Sequence, residues 1–123
     1  MNVVYDAGAL IAADRGDRRF LALHTELLSA GVVPVVPAGV LAQVWRDPTR
    51  QVGLSRTLRG CRVDSLDRRQ AESAGIRARR TRVFDVIDCS VAEAAAVLDA
   101  VVMTSDPEDI ARAGVPRRNI QVV

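Results

Sequence analysis

The sequence predicts an α/β domain: a central, mostly parallel sheet flanked by helices in three layers. Three observations lead there. Short β-branched runs alternate with longer segments of helical periodicity, and strands that alternate with helices need crossover connections. The chain has 123 residues and is 49% hydrophobic, which suits one domain spanning 1–123. Aromatic residues make up only 3%, so the core must be built from Ala, Val, Leu and Ile.

The elements follow in order. Residues 2–5 (NVVY) read as a buried strand, and ALIAAD starts a short helix. From Asp17, DRRFLALHTELLSAG places apolar residues at 20, 21, 23, 27 and 28, one helical face closed by Gly31. VVPVV at 32–36 reads as a second strand, demoted towards an edge by Pro34. Pro37 opens the helix PAGVLAQVWRD, and Pro48 opens another that ends at Gly60. CRVDSL is a short strand, followed by the helix DRRQAESAGIRARR with Asp67 as its N-cap. DVIDCSVAEAAAVL is a strong helix, AVVMT at 100–104 a strand, PEDIARAG a helix and NIQVV a last strand.

Composition removes several chemistries. All 17 basic residues are Arg, so no Schiff-base lysine, lysine general base or P-loop lysine exists here. Two Cys, at 61 and 89, make neither a disulfide framework nor a Cys-rich zinc site. His24 alone excludes sites that need several His ligands. The paucity of aromatic rings argues against stacking-based nucleic-acid modules. The amino terminus lacks the pattern of a signal peptide, and the apolar stretch 30–42 is broken by two Pro and two Gly. The expectation is a soluble, cytoplasmic protein without membrane contact.

The informative feature is where the acids fall. VVY runs directly into Asp6, and VVMT runs through Ser105 into Asp106. Ligands of open parallel sheets bind beyond the carboxyl ends of the strands. If those two strands are neighbours, both carboxylates face one crevice. There they repel unless a positive charge lies between them, and Mg²⁺ or Mn²⁺ supplies it through oxygen ligands. The competing reading makes each Asp an N-cap of the next helix. Asp85 and Asp88 share one face near the start of a strongly apolar helix, Asp85 as a cap and Asp88 as a ligand. Asp99 lies at the wrong end of its strand.

VVYDAGALIA, VPAGVLAQVWRD, FDVIDCSVAEAA and VVMTSDPEDI, in this order, resemble the PIN domain. The likeness is greatest to the small single-domain toxins of VapBC-type toxin–antitoxin pairs, and it covers nearly the whole chain. It implies a Mg²⁺-dependent endoribonuclease, with Mn²⁺ as a substitute, that cleaves RNA phosphodiester bonds by metal-activated water. It implies Asp6, Asp88 and Asp106 as metal ligands. It also implies a cognate antitoxin over the site, a homodimer, and contact with DNA only through the antitoxin. Two positions depart from the family. Gln43 stands where the family has Glu, keeping the shape and losing the charge. Gly8 stands where the family often has Ser or Thr.

Other residues admit two readings each. Thr104 and Ser105 either bind phosphate and orient Asp106 or serve as turn residues. Asp109 is an auxiliary acid or a first-turn dipole partner. Asp47 could replace the charge missing at Gln43 unless the turn into Pro48 carries it away. RARRTR at 77–82 is either a solvated face or a phosphate contact. Trp45 reads as core or partner groove, His24 as a surface or internally satisfied residue, and both Cys as buried small hydrophobes. A phosphoacceptor receiver domain has similar architecture but requires a Lys that this chain lacks. A PIN fold weakened by Gln43, binding RNA or antitoxin without efficient turnover, is the rival that remains.

Overall fold

A computed structural model describes all 123 residues. Five strands form one sheet: β1 (Val3–Tyr5), β2 (Val35–Pro37), β3 (Arg62–Asp64), β4 (Val101–Thr104) and β5 (Ile120–Val122). Their order is β3-β2-β1-β4-β5, and every pairing is parallel. Seven helices connect them: α1 (Ala7–Asp14), α2 (Arg18–Ser29), α3 (Ala38–Val44), α4 (Val52–Arg59), α5 (Arg68–Thr81), α6 (Val86–Leu98) and α7 (Pro107–Arg112). Right-handed crossovers place α1 to α4 on one face of the sheet and α5 to α7 on the other.

Local chemistry sets the boundaries. The Asp17 side chain accepts the Phe20 amide and starts α2, and Gly31 (φ +78°) reverses the chain beyond its end. Asp67 and Gln70 form a reciprocal capping box on α5. Asp85 accepts the amides of Ile87 and Asp88 and starts α6.

Two expectations are corrected. Pro34 does not put its strand at an edge: β2 begins one residue later and lies between β1 and β3. Proline lacks only the donor, and the Pro34 carbonyl still accepts the Arg62 amide at 2.9 Å. Pro48 opens a turn rather than a helix. Asp47 holds the Thr49 amide and hydroxyl. The buried Gln51 amide caps the surrounding backbone, donating to the Val44 carbonyl and accepting from the Arg46 and Asp47 amides. The helix therefore begins at Val52.

The core follows the composition. Val3, Val4, Val36, Leu10, Leu54, Val91, Val102 and Ile110 are fully buried across both faces of the sheet. Tyr5, Phe20 and His24 form an aromatic cluster beneath α2. His24 is thus an interior residue, satisfied by the Tyr5 hydroxyl 2.8 Å from its Nδ1. Its burial lowers the imidazole pKa, and burial drives the Tyr5 phenol well above its usual range. Cys61 and Cys89 are free, partly or fully buried, and shifted upward by that burial, Cys61 to about 12. No helix is long and apolar enough to cross a membrane.

Candidate active site

The chain order of the strands reverses between β1 and β4, the switch point at which parallel α/β sheets open a crevice. The two strands are direct neighbours, with Tyr5 opposite Met103. Asp6 leaves one strand and Asp106 the other at the same end of the sheet. The Asp6 amide donates to the Met103 carbonyl at 3.0 Å, which fixes the exit of β1.

One hydroxyl joins the two acids. Thr104 is fully buried, and its Oγ1 donates to Oδ2 of Asp6 at 2.7 Å. The same oxygen accepts the Asp106 amide at 2.9 Å. Asp6 is only 6% exposed, and its other carboxylate oxygen has no partner within the protein. Both acids occupy N-cap positions, of α1 and α7, yet neither side chain makes a capping hydrogen bond. Asp17, Asp67 and Asp85 do cap their helices. The capping reading therefore explains those three acids; it leaves Asp106 without a side-chain partner and Asp6 with the Thr104 hydroxyl alone.

Asp88 enters from the first turn of α6 and is half-buried. Burial raises its pKa from 3.8 to about 6, assisted by the charges of Asp85, Asp6, Asp109 and Asp106. The acids from β1, β4, α6 and α7 thus share one field. Asp109 belongs to this group, although it also holds Arg112. No three of the chain's carboxylates, thiols and imidazole converge as a ready-made coordination shell. The donor set is nevertheless all oxygen, strongly negative and partly desolvated, which fits a hard divalent cation and no soft one.

The two departures from the family pattern have different outcomes. A Cβ at Gly8 would lie 2.6 Å from the Ser105 backbone nitrogen and closer still to its hydroxyl. Ser105 fills the space that a side chain at position 8 would take, so glycine is required for this close approach. Gln43 is exposed and makes no hydrogen bond. It lies one helical turn beyond Gly39, which faces Ile87 of α6. Asp47 is committed to its own turn and to Arg50, so it does not replace the missing charge.

The basic run divides in two. Arg77 is buried, pairs with Glu93 at 2.7 Å and donates to the Ala113 carbonyl at 2.9 Å. Arg79, Arg80 and Arg82 are exposed and form no ion pair. Trp45 lines a shallow apolar groove with Leu41 and Leu58. A cleft of about 420 Å³, lined by Arg62, Asp64, Leu66, Gln70, Glu93 and Val97 among others, lies over edge strand β3 and excludes the four acids. Sequence reasoning missed the burial of Arg77 and the Gly8–Ser105 contact. An Arg eight residues before Asp85, the start of a strongly apolar helix pattern, was a weak signal for the first. The second depends on two segments 97 positions apart in the chain.

An all-parallel five-stranded sheet flanked by seven helices, with acids at its switch point, defines a PIN-like fold. No family model matches the sequence, and no curated protein matches it. Among solved structures, the chain is similar to a chain in the crystal structure of VapBC2 from Rickettsia felis bound to a DNA fragment from their promoter. The TM-score is 0.77 at 14% identity, covering 100% of this chain and 99% of that one.

Proposed function

We propose that this protein is a Mg²⁺- or Mn²⁺-dependent endoribonuclease and the toxin of a toxin–antitoxin pair. The observation that carries the reading is the set of electrostatically coupled acids around the β1–β4 switch point, two of them in cap positions where they cap nothing. The likeness in fold to VapBC2 supports the toxin assignment. Asp6, Asp88 and Asp106 would hold the cation. When bound, it supplies a Lewis acid for a phosphoryl oxygen and lowers the pKa of water to nucleophilic strength.

The chain's own groups do the rest. Thr104 fixes one oxygen of Asp6 and leaves the other for a ligand. Through the Asp106 amide it also sets the turn that carries the second acid. Asp88 must release its proton before it can ligate, so metal affinity rises as pH passes about 6. His24 is sealed in the core, so no imidazole serves as general acid or base here. Products with 5′-phosphate and 3′-hydroxyl ends are expected.

The partner in this reading is a cognate antitoxin whose Arg enters the crevice and offsets the acids much as the metal does. Homodimerisation, a cytoplasmic location and contact with DNA only through the antitoxin belong to the same proposal. One observation favours a weaker variant that binds RNA or antitoxin without efficient turnover: Gln43 brings no charge to the crevice. Cleavage of a labelled RNA with Mg²⁺, Mn²⁺ or EDTA separates the two. Metal-dependent cleavage lost in Asp6→Asn supports the nuclease. RNA binding without cleavage at any metal concentration supports the weaker variant. Cleavage that persists in EDTA overturns the metal site.

A further inference from the structure

Phe84 is 74% exposed. It is the odd one among four aromatic residues. Tyr5 and Phe20 are core, and Trp45, 36% exposed, lies against an apolar groove. Phe84 directly precedes Asp85, the N-cap of the helix that delivers Asp88 to the crevice. An exposed apolar side chain is ordinary by itself. This one is held out by a fixed segment and preceded in the chain by three unpaired cations, Arg79, Arg80 and Arg82.

The segment is pinned on both sides. Thr81 Oγ1 donates to the Arg77 carbonyl at 2.8 Å and accepts the Val83 amide at 3.3 Å. Val83 packs into the core, and its carbonyl accepts the Cys89 thiol at 3.2 Å. Asp85 is tied to the amides of Ile87 and Asp88. Phe84 stands between these anchors with its ring in solvent. The chain reaches this pose through Arg82, which terminates α5 in the left-handed region at φ 61°. Glycine is the usual residue at such a position, and any other residue costs stability there. Arg82 keeps its place there two residues before a solvated ring, with its guanidinium exposed and unpaired.

We propose that Phe84 is a stacking platform for a base of single-stranded RNA entering the carboxylate crevice, with Arg79, Arg80 and Arg82 holding the adjoining phosphates. This rests on the nuclease reading and adds how that site takes its substrate. The acids repel a polyanion, so a neighbouring cationic strip is needed to seat it. Three exposed arginines without ion partners supply that strip where α5 runs into the site. A flat ring accepts any base face, which suits an unpaired strand and not a duplex with its bases stacked inside.

The test compares wild type with Phe84→Ala, Phe84→Leu, Phe84→Trp and Arg82→Gly. Cleavage of a labelled single-stranded RNA of mixed sequence is followed in Mn²⁺. Binding of the same RNA carrying 2-aminopurine is followed in EDTA. Phe84→Ala and Phe84→Leu should raise KM about tenfold, leave kcat within about twofold, and relieve 2-aminopurine quenching. Phe84→Trp should restore both. Arg82→Gly should melt at a higher temperature than wild type while binding RNA more weakly, because it removes strain and charge together. Wild-type kinetics in Phe84→Ala, with wild type cleaving normally, would overturn the platform and leave the nuclease intact. Unchanged RNA kinetics in Phe84→Ala with loss of a co-expressed antitoxin would reassign the surface to a protein and overturn it too. A wild type that neither cleaves nor binds RNA would remove the nuclease reading and the platform with it.

Discussion

Asp88→Asn should stabilise the metal-free protein while destroying its response to metal. The asparagine imitates the protonated carboxyl, which the folded state prefers. The rise from 3.8 to about 6 corresponds to about 3 kcal/mol of resistance to ionisation. Partial exposure screens this to about 2 kcal/mol. The dipole of α6 acts the other way, since Asp88 lies in its first turn, and returns about 0.5 kcal/mol to the charged form. A net gain of about 1.5 kcal/mol remains, or about 6 °C in Tm. The pH dependence has a fixed sign. A carboxyl whose folded-state pKa is raised stabilises the fold fully below about 3.8, and that contribution is lost as pH rises through about 6. The variant's advantage should therefore be present at pH 7.5 and absent at pH 3.5, where both proteins are neutral at this position. Thermal melts in EDTA across that range measure it. Adding Mn²⁺ at pH 7.5 should reverse the order, because the cation binds only the folded wild type. A variant less stable than wild type at pH 7.5 in EDTA would refute the reasoning, since it would show that the Asp88 charge is satisfied rather than repelled.

Three further outcomes are expected. Thr104→Val keeps the shape and deletes the hydroxyl shared by Asp6 and Asp106; it should cost about 2 kcal/mol and weaken Mn²⁺ binding about 10–100-fold by calorimetry, with Thr104→Ser near wild type. Gly8→Ala forces a Cβ against the Ser105 backbone and should cost about 1–3 kcal/mol in denaturant melts, and Ser105→Gly should not rescue it because the backbone nitrogen remains in place. Gln43→Glu should lower the Mn²⁺ concentration for half-maximal cleavage. The exposure of position 43 limits the gain to about 1 kcal/mol, about fivefold, and an unchanged requirement would separate Gln43 from the metal.

The fold was legible because its signals are local. Val3–Tyr5 and Val101–Thr104 are short apolar runs that lead into an acid, the second through Ser105, and Asp67 and Asp85 cap the helices expected of them. Whether Asp6 and Asp106 shared a crevice depended on strand order, which periodicity does not encode. That order makes them neighbours. The role of Thr104 was half legible: the residue could be flagged, but its two hydrogen bonds depend on the register of β1 with β4. His24 and Arg77 ended up inside because each found a specific distant partner, Tyr5 and Glu93, and no sequence pattern announces such a pair. Phe84 was obscured by composition: four aromatic residues suggest no stacking surface until one of them is found outside the core.

The hydrogen bond between Thr104 and Asp6 spans 98 positions of the chain. Contacts that close so long a loop form late, because the entropy of closure precedes any return. During synthesis, β1, β2 and β3 are exposed to solvent before β4 leaves the ribosome, and until then the central strand has one free edge. Asp6 at that stage is a solvated acid with no hydroxyl to hold it and no second carboxylate beside it. The crevice is consequently a property of the finished chain alone. A nascent fragment that ends before residue 104 carries most of the helices but lacks Thr104 and Asp106, so the acids cannot yet be held together while the chain is being made.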